Sequence, residues 1–542
     1  MENIFKATLY DQSKKQWRGA SAQMIFRPQV SLGRAALFVM DKNPDFVAQI
    51  SANSGVQKTN REITNATLKI AVNLQKMGCK KGDVIGFVLR NNENLAPAVL
   101  ACLTILTLIS AVDPTFTTAE MVHMFGITRP KIIFCESNKL QDVKDTFIEL
   151  MYTPTTIVFG DKINDYMHIN DMFEELEDIY DFTPPEVDDN TCAVILCSSG
   201  TTGLPKGVAL NHAHLLCISS YGFMDKLEKP LSVFCFSSLY WYSGLMILLM
   251  GTLTNTTRII TSQAYSPEHY FEVVTKYKPN ILFTVPIQLS ELIENVNIEE
   301  NTMDCVKRCL CVGSPLSMEL WLNVKKFLRN GDIYNGYGMS EIGFISREPK
   351  NAKKLSAGVL LTDVEAKVID EDGNRLEIDE QGELCFKWRH MFLGYYNSPK
   401  ETAKVIDAEG FIHSGDIGYF DEDNLLHIIG RSKDIIKYRS YSISPGEIES
   451  VIMKIPGIRQ AYAVGIYDTV DSELPAAVVI RKEDASVTEE EIIAVTNNSL
   501  IDPKHLRGGV FFVEHVPTTA SGKVKKALVK EMAEKMYLSK NS

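Results

Sequence analysis

Short apolar runs alternate along this chain with amphipathic stretches. Ala193–Cys197 and Ala476–Ile480 have the length and composition of buried strands, whereas Glu489–Val495 repeats its apolar positions at helical spacing. Such alternation favours an α/β fold. With 542 residues, the chain is several times longer than a usual domain, so we expect more than one hydrophobic core.

The end of the chain predicts a small α+β domain. We expect helices and strands there at Glu447–Met453 (helix), Gln460–Ile466 (strand), Ala476–Ile480 (strand), Glu489–Asn497 (helix) and Gly509–Val513 (strand). Thr488 is a candidate N-cap for the second of these helices, which begins with three glutamates.

A domain boundary is predicted within Asn424–Tyr438. Here a short polar break, Gly430–Asp434, separates two apolar strand-like runs, and every Cys and Trp of the chain lies before it. We therefore predict an N-terminal domain at residues 1–432 and a C-terminal domain at 433–542, with a hinge between them.

The longest uncharged apolar run is Leu95–Val112. Its length approaches that of a membrane span, but it contains Pro97 and three hydroxyl residues. A buried helix is the favoured interpretation, because no second candidate segment supports a membrane protein. The first residues also lack the apolar core of a secretory signal.

The composition excludes some function classes. A formal net charge of −12 argues against a general nucleic-acid surface, which needs clustered Lys and Arg, but it does not argue against a small anionic ligand. Eleven scattered cysteines suit reduced thiols in the cell interior. The group Cys305, Cys309 and Cys311 lacks the ligand spacing of a zinc site, so we interpret Cys309 and Cys311 as two buried thiols of a core strand.

The segment Ser198–Gly207 is the strongest chemical signal. It follows the apolar strand Cys192–Cys197, and its three glycines let backbone N–H groups converge while hydroxyl residues and Lys206 add donors. Lys206 is followed by glycine and a strand-like run, so this is not a Walker A loop. We predict a loop that holds a polyphosphate.

This loop resembles the signature of the adenylate-forming superfamily, which includes acyl-CoA synthetases, coumarate-type ligases, peptide-synthetase adenylation domains and beetle luciferases. Further segments resemble the family's motifs in the expected order: Gly336–Glu341, Gly382–Leu384 with Gly394–Tyr395, His413–Asp416, Gly430–Asp434, and Pro517–Lys523. The resemblance is closest to insect luciferases and luciferase-like acyl-CoA synthetases, through runs at Ile436–Tyr438, Glu473–Val479 and Leu506–Val510. The first 180 or so residues resemble the family more loosely.

The resemblance implies a fold and a set of nucleotide-binding residues. The fold would be a large N-terminal domain of two α/β subdomains plus a small β-barrel, followed by a small mobile α+β domain. ATP or AMP would be bound by Ser198, Ser199, Gly200, Thr201, Thr202, Gly203, Lys206, Gly313, Ser314, Gly336, Tyr337, Gly338, Ser340, Asp416, Arg431 and Lys523.

The implied roles agree with the chemistry of these side chains. Glu341 would hold Mg²⁺, and Asp416 would accept the ribose hydroxyls, with Arg431 supporting the ribose or the phosphates. Tyr337 would stack on adenine, and Gly313 with Ser314 would form the adenine-side turn. The implied catalytic residues are Lys523, Lys206, Lys437 and Ser340, and the implied hinge is Lys433 and Asp434. The alternative interpretations of single residues are a helix N-terminal acid for Glu341, a turn residue for Asp416, a core residue for Tyr337, and surface charges for Arg431, Lys437 and Lys523.

The carboxylic-acid pocket is implied at Ile218, Tyr240, Trp241, Tyr242, Gly244, Gly338 and Met339. Beetle luciferases carry a His-His-Gly-Phe segment where this chain has Tyr240–Tyr242, and an arginine where it has Ile218. We therefore expect an aromatic pocket without an imidazole, and not a beetle-type luciferin.

The second half-reaction is left with alternatives. Lys437 resembles the lysine that serves this step, but Ser440 replaces a glycine that lies close to the CoA arm in relatives. The leading hypothesis is an acid–CoA ligase using ATP, Mg²⁺ and CoA; the alternatives are a luciferase-type monooxygenase using O₂ and a nucleotide-binding pseudoenzyme. The chain ends without the peroxisomal Ser-Lys-Leu, so cytosol is favoured over peroxisome, and a monomer is favoured.

Overall fold

The structure, a computed structural model, describes most of the chain. The described residues are 7–21, 25–174, 184–198, 205–221, 227, 229–295, 302–314, 316–350, 352, 354–439, 441–518 and 524–541. Seven residues of the implied site, or of its second half-reaction, lie outside them: Ser199, Gly200, Thr201, Thr202, Gly203, Ser440 and Lys523.

The helices of the described part are mostly amphipathic or fully buried. In chain order they are α1 Leu32–Lys42, α2 Asn60–Lys76, α3 Leu95–Thr104, α4 Thr118–Thr128, α5 Leu140–Glu149, α6 His212–Tyr221, α7 Tyr242–Thr254, α8 Pro267–Tyr277, α9 Pro286–Asn295, α10 Met318–Phe327, α11 Pro399–Ala403, α12 Pro445–Ile452, α13 Glu489–Ser499 and α14 Lys526–Asn541.

The strands are short and β-branched-rich where they are buried. In chain order they are β1 Thr8–Asp11, β2 Gln16–Gly19, β3 Val47–Ser51, β4 Gln57–Thr59, β5 Val84–Val88, β6 Leu108–Ala111, β7 Ile132–Glu136, β8 Thr155–Phe159, β9 Met167–His168, β10 Cys192–Ser198, β11 Lys206–Asn211, β12 Leu231–Phe234, β13 Thr256–Ile260, β14 Ile281–Thr284, β15 Arg308–Cys311, β16 Asp332–Met339, β17 Gly343–Arg347, β18 Val359–Leu360, β19 Glu365–Ile369, β20 Gly382–Lys387, β21 Gly394–Tyr395, β22 Ile412–Phe420, β23 Leu426–Arg431, β24 Ile436–Tyr438, β25 Tyr441–Ile443, β26 Ile458–Asp468, β27 Ser472–Arg481 and β28 Gly509–Phe512.

The chain divides into two compact units. The first comprises Met1–Leu9, Arg18–Glu365 and Lys387–Ile412. It contains an eight-stranded sheet in the order β21-β11-β10-β6-β5-β7-β8-β9 and a nine-stranded sheet in the order β18-β17-β16-β15-β14-β12-β13-β3-β4. The central strands of both sheets run parallel, and antiparallel pairs such as β10–β11 and β16–β17 complete their edges. Parallel strands joined by helices give the α/β architecture that the apolar pattern predicted.

The second unit comprises Tyr10–Trp17, Ala366–Phe386 and His413–Ser542. Most of a six-stranded sheet, β1-β2-β19-β20-β22-β23, belongs to it. It also contains a five-stranded sheet in which β25, β24, β27 and β26 follow one another and β28 pairs with β27. The boundary predicted between residues 432 and 433 stays a prediction.

The predicted elements of the C-terminal part are confirmed. Helices α12 and α13 and strands β26, β27 and β28 lie where the apolar pattern placed them, with bounds that differ by a few residues. Thr488 caps α13 through a capping box with Glu491. The polar break at Gly430–Asp434 is confirmed too, since it covers the end of β23 and a 3₁₀ turn at Ser432–Asp434.

The apolar run Leu95–Val112 is buried, as expected, but it is not one helix. It forms α3 and then β6, separated by a turn in which Leu106 adopts a φ of +60°. A residue in the left-handed conformation ends a helix, so Leu106 separates α3 from β6. The hydrophobicity of the run does not encode this backbone conformation. Among the described residues, no helix is long and apolar enough to cross a membrane.

The cysteines behave as predicted from their apolar surroundings. All eleven lie in the described part and are free thiols. Cys309 and Cys311 lie on β15 and are fully buried in the core beneath the nine-stranded sheet. Burial raises the pKa of Cys309 to about 12, which keeps this thiol neutral and unreactive.

Candidate active site

The β10–β11 hairpin positions the glycine-rich loop. Ser198 ends β10, Lys206 begins β11, and the two residues face each other across the antiparallel pair. The ends of the loop are therefore held side by side by sheet hydrogen bonds. The side chain of Ser198 and residues 199–204 lie outside the described residues.

Lys206 is held by acidic and aromatic partners. Its Nζ lies 2.7 Å from Oε2 of Glu401 and 4.9 Å from the centre of the Tyr395 ring. Lys404 contacts the other oxygen of Glu401 at 2.5 Å. The two lysines lower the pKa of Glu401 to about 2, so this carboxylate stays ionised throughout the neutral range.

Glu341 lies in the turn between β16 and β17 and is buried. The hydroxyl of Tyr395 donates to Oε1 of Glu341 at 2.8 Å, and the backbone N–H of Phe392 donates to the Glu341 carbonyl at 2.8 Å. Burial and the neighbouring carboxylate raise the pKa of Tyr395, so its hydroxyl remains a donor. One tyrosine thus touches both the predicted phosphate lysine and the predicted metal ligand.

Strand pairing explains why Tyr395 reaches both groups. Val208 of β11 and Tyr395 of β21 face each other, which puts the ring beside Lys206.

A carboxylate oxygen is a hard ligand of the kind that Mg²⁺ prefers, so the buried Glu341 fits the role implied for it. The sequence showed Gly394–Tyr395 only as a turn motif and did not reveal this contact.

The glycines of β16 are required by close packing. A Cβ at Gly338 would lie 2.3 Å from the carbonyl oxygen of Gly343, and one at Gly336 would lie 2.9 Å from the Phe344 ring. Their neighbours Tyr337, Met339 and Ser340 are half-buried. After β15, Gly313 has a φ of +87° and is exposed, with Ser314 half-buried beside it.

The aromatic segment Tyr240–Tyr242 divides into two environments. Tyr240 is buried and packs against Phe116, with ring centres 5.1 Å apart, and Trp241 packs edge-on against Tyr240 at 4.6 Å. Tyr242 has a different environment, because it is the first residue of α7 and is half-buried. Gly244 of α7 has no room for a side chain, because a Cβ there would lie 2.0 Å from the carbonyl oxygen of Ser238.

A histidine that the sequence analysis missed pairs with Tyr242. Nε2 of His214 lies 2.9 Å from the Tyr242 hydroxyl, and Nδ1 lies 2.5 Å from the carbonyl oxygen of His390. Burial lowers the pKa of His214 to about 3, so the ring is neutral. Since a carbonyl only accepts, Nδ1 carries the proton and Nε2 accepts from Tyr242. An imidazole therefore contacts the predicted pocket segment, which the sequence analysis expected to lack one.

The position of His214 could have drawn attention to it. His214 lies four residues before Ile218 on α6, so the two side chains share one face of the helix, and both are buried. The Tyr242 hydroxyl also lies against the turn that carries Glu341, since a Cβ at Gly343 would be 2.2 Å from it. His214 and Tyr242 thus connect the aromatic segment with the β16–β17 turn.

In the second unit, Asp416 and Arg431 face each other across β22 and β23. Nε of Arg431 lies 2.9 Å from Oδ1 of Asp416, and Nη1 donates to the carbonyl of Ser414 at 2.8 Å. The Asp416 N–H donates to the hydroxyl of Ser414 at 3.0 Å. Asp416, which read alone resembled a turn residue, is a buried strand residue with an oriented carboxylate.

The predicted residues of the second half-reaction are only partly described. Lys437 lies on β24, exposed, with Nζ 3.1 Å from Oε1 of Glu371. Lys433 and Asp434 form the 3₁₀ turn between β23 and β24. Ser440 and Lys523 lie outside the described residues.

Comparison with known families decides the classification. A model of the AMP-binding enzyme family matches residues 38–396, and a model of the AMP-binding enzyme C-terminal domain matches residues 447–523. The chain belongs to the AMP-binding enzyme family. At this level it is an adenylate-forming enzyme of the acid–CoA ligase and luciferase type, as the sequence motifs indicated.

Relatives of both types are similar over nearly the whole chain. A probable 4-coumarate–CoA ligase of Dictyostelium discoideum is 29% identical over 530 residues, covering 94% of this chain and 96% of the relative. The luciferin 4-monooxygenase of Photinus pyralis is 29% identical over 504 residues, covering 90% and 91%. The structure of the luciferase-like enzyme from the nonluminescent Zophobas morio mealworm has a TM-score of 0.72 and 28% identity, covering 76% of this chain and 98% of that one. The predicted fold class, with a large N-terminal and a small C-terminal domain, is confirmed.

Proposed function

We propose that this AMP-binding enzyme adenylates an apolar carboxylic acid with ATP and Mg²⁺ and then transfers the acyl group to CoA. The observation that carries the proposal is the contact of Tyr395 with both Lys206 and Glu341. A cation for phosphate oxygens and a carboxylate for Mg²⁺ are the two charges that a polyphosphate site needs.

The first step would form acyl-AMP. An oxygen of the substrate carboxylate attacks the α-phosphorus of ATP, the bond from that phosphorus to the bridging oxygen breaks, and pyrophosphate leaves. Lys206 would neutralise charge on the phosphates, Glu341 would hold the metal, and Lys523 would stabilise the charge that develops at the α-phosphate. Ser340 and the loop residues Ser198 to Gly203 would add hydrogen-bond donors.

The nucleoside would be recognised by polar residues of several segments. Asp416, oriented by Arg431, would accept the ribose hydroxyls, and Tyr337 would stack on adenine beside Gly313 and Ser314. Arg431 supports this role through Asp416, whose carboxylate it contacts directly.

The acid would be enclosed by apolar and aromatic groups. The proposed lining comprises Ile218, Tyr240, Trp241, Tyr242, Gly244, Gly338 and Met339. Burial of Ile218 and the absence of a charged side chain among these residues favour an apolar acid. Because His214 is neutral, it adds a polar group near Tyr242 without adding charge.

The second step would consume the adenylate. The CoA thiol, after losing its proton, attacks the acyl carbonyl carbon, the acyl–phosphate bond breaks, and AMP leaves. Lys437 and Ser440 would serve this step, with Lys433 and Asp434 as the hinge. Similarity to luciferin 4-monooxygenases at 29% identity keeps oxidation of an adenylate by O₂ as a second candidate. A cytosolic location and a monomeric state stay predictions.

One assay tests the proposal. The protein is incubated with Mg-ATP and a panel of apolar acids, with and without CoA, and AMP, pyrophosphate, thioester and photons are measured. We expect pyrophosphate with an acid alone and thioester when CoA is added. Photons with O₂ consumption would favour the luciferase-type reaction, and no AMP with any acid would contradict adenylation.

Matched lysine variants make the assay specific. Lys206→Met should lower pyrophosphate release by about 100-fold, the scale of losing one preorganised charge contact to a transition state. Lys400→Met changes an exposed lysine in the same part of the unit and should leave the rate unchanged. Equal rates for the two variants would contradict the role of Lys206.

A further inference from the structure

Arg258 lies on β13, in the interior of the nine-stranded sheet, and is only 6% exposed. Its aliphatic part packs against α7, where a Cβ at Gly251 would lie 2.6 Å from Cγ of Arg258. The absence of a side chain at Gly251 therefore makes room for a buried arginine.

The guanidinium has a neutral partner. Nη2 of Arg258 donates to Oε1 of Gln49 at 2.6 Å, from the neighbouring strand β3. Within the ranges that the structure describes, no carboxylate forms a hydrogen bond or an ion pair with Arg258. The titratable group that acts on it is Cys235, whose pKa is raised to about 11 by burial, so this thiol is neutral. Burial lowers the pKa of Arg258 to about 10, and the side chain is still a cation at neutral pH.

A small cavity adjoins this cation. Its volume is about 20 Å³, and Arg258, Asn91 and Ser237 contribute polar groups to its wall, while Leu95, Ile247 and Ile260 contribute apolar ones. A cavity of this size has room for one or two water molecules, or for one monatomic ion.

Two helices begin at the same cavity. Leu95 is the first residue of α3, and Gly244 is the third residue of α7, and both line the wall. Neither helix has a side-chain cap, because Asn94 and Trp241 make no capping hydrogen bond. Uncapped N-terminal N–H groups carry partial positive charge, so they add to the field of the guanidinium.

We propose that this cavity binds one small monovalent anion of the size of chloride, against Arg258. A buried cation without a counter-charge is strongly destabilising, and an anion would supply that charge where Gln49 does not. A volume of about 20 Å³ suits a monatomic ion better than a larger anion. The largely apolar wall favours a weakly hydrated halide over a multivalent ion.

Thermal stability in chosen salts tests the site on the full chain. The protein is exchanged into sodium gluconate, and sodium chloride or bromide then replaces gluconate at constant ionic strength. We expect a saturable rise of Tm by about 2 °C or more with either halide, because a ligand that binds only the folded state stabilises it. An equal Tm in gluconate and chloride overturns the proposal.

Two variants and one control locate the response. Arg258→Met should abolish the halide shift. Gln49→Glu keeps the shape of the side chain but places a carboxylate 2.6 Å from the guanidinium, so it should abolish the shift even if Arg258→Met does not fold. Arg18→Met, at an exposed arginine, should retain the shift. A halide shift that persists in Gln49→Glu would overturn the assignment to Arg258.

Crystals grown in sodium bromide give an independent readout. We expect an anomalous bromide peak at hydrogen-bonding distance from the Arg258 guanidinium. Density there that shows water alone, with no anomalous signal, overturns the proposal.

Discussion

The hydroxyl of Tyr395 lies 2.8 Å from Oε1 of Glu341, while the ammonium of Lys206 lies 4.9 Å from the centre of the same ring. A single side chain of an edge strand therefore positions the predicted metal ligand and the predicted phosphate lysine. The hydroxyl orients the carboxylate, and the ring face attracts the cation.

Removing the hydroxyl tests the first of these contacts. Tyr395→Phe should lower the rate of pyrophosphate release by about 10-fold, since a hydrogen bond to a charged group contributes about 1.5 kcal/mol. The loss should be smaller at high Mg²⁺, because a metal can orient a loosened carboxylate. The rate is measured over a magnesium titration.

Tyr396→Phe is the matched control. The Tyr396 ring is half-buried, and the backbone N–H of Tyr396 donates to the carbonyl of Gly207. This variant should keep the rate and the magnesium dependence of the original enzyme. A Tyr395→Phe enzyme with unchanged kinetics would show that Glu341 does not depend on the hydroxyl.

The ion pair between Lys206 and Glu401 predicts a competition with ATP. Glu401→Gln should lower the Kd for Mg-ATP a few-fold, because the ammonium no longer has to exchange a carboxylate for a phosphate. The pKa of Glu401 is about 2, so the gain should be constant from pH 6 to 9. Calorimetry measures the Kd, with the exposed Glu319→Gln as control. Weaker binding in Glu401→Gln would mean that Glu401 positions Lys206 instead of competing for it.

The pairing of His214 with Tyr242 predicts a coupled loss of stability. His214→Phe leaves the His390 carbonyl and the Tyr242 hydroxyl without their partner and should lower the free energy of unfolding by about 1–3 kcal/mol. Tyr242→Phe should cost less, and the double variant less than the sum of the two. Urea unfolding of all four proteins measures the coupling; strict additivity would rule it out.

The lowered pKa of His214 also predicts a pH dependence. The unfolded chain binds a proton near pH 6.5, whereas the folded ring binds one only near pH 3, so the unfolded state binds more protons between these values. The stability contributed by His214 should therefore rise with pH from 3 to 6.5 and stay level above. His214→Phe should have a shallower slope in this window, measured by urea unfolding at several pH values.

Glu348 predicts the opposite effect, a free energy of unfolding that falls as the pH rises. This buried carboxyl accepts a hydrogen bond from the backbone of Asn335 at 3.3 Å, and burial raises its pKa to about 7. The folded state keeps a proton that the unfolded chain releases near pH 4.5, so stability contributed by this group falls as pH rises through 7. The loss amounts to at most about 3 kcal/mol. Glu348→Gln should remove it and raise the free energy of unfolding at pH 8; an unchanged pH slope would contradict the assignment.

The elements and residues that could be predicted from the sequence are those with a signal in neighbouring positions of the chain. The spacing of apolar residues and a helix cap predicted β10, β11 and α13. Motifs in the expected order indicated Lys206, Glu341 and Asp416. Contacts between distant residues were not predictable. Glu401 meets Lys206 across 195 positions, and His214 meets Tyr242 across two helices, so neither partner is implied by its own neighbourhood in the chain. The division of Leu95–Val112 into a helix and a strand depends on the left-handed backbone of Leu106, which a hydrophobicity pattern does not reveal.

The facing pair Asp416 and Arg431 has an electrical consequence. Because the guanidinium lies 2.9 Å from the carboxylate, the two charges cancel when viewed from a distance, while the carboxylate oxygens keep their acceptor character nearby. In the proposed reaction, Asp416 would accept the two neutral ribose hydroxyls without its charge repelling the phosphates that the sugar carries. Discrimination of the sugar would then be nearly independent of ionic strength, whereas binding of the phosphates would weaken as salt is added.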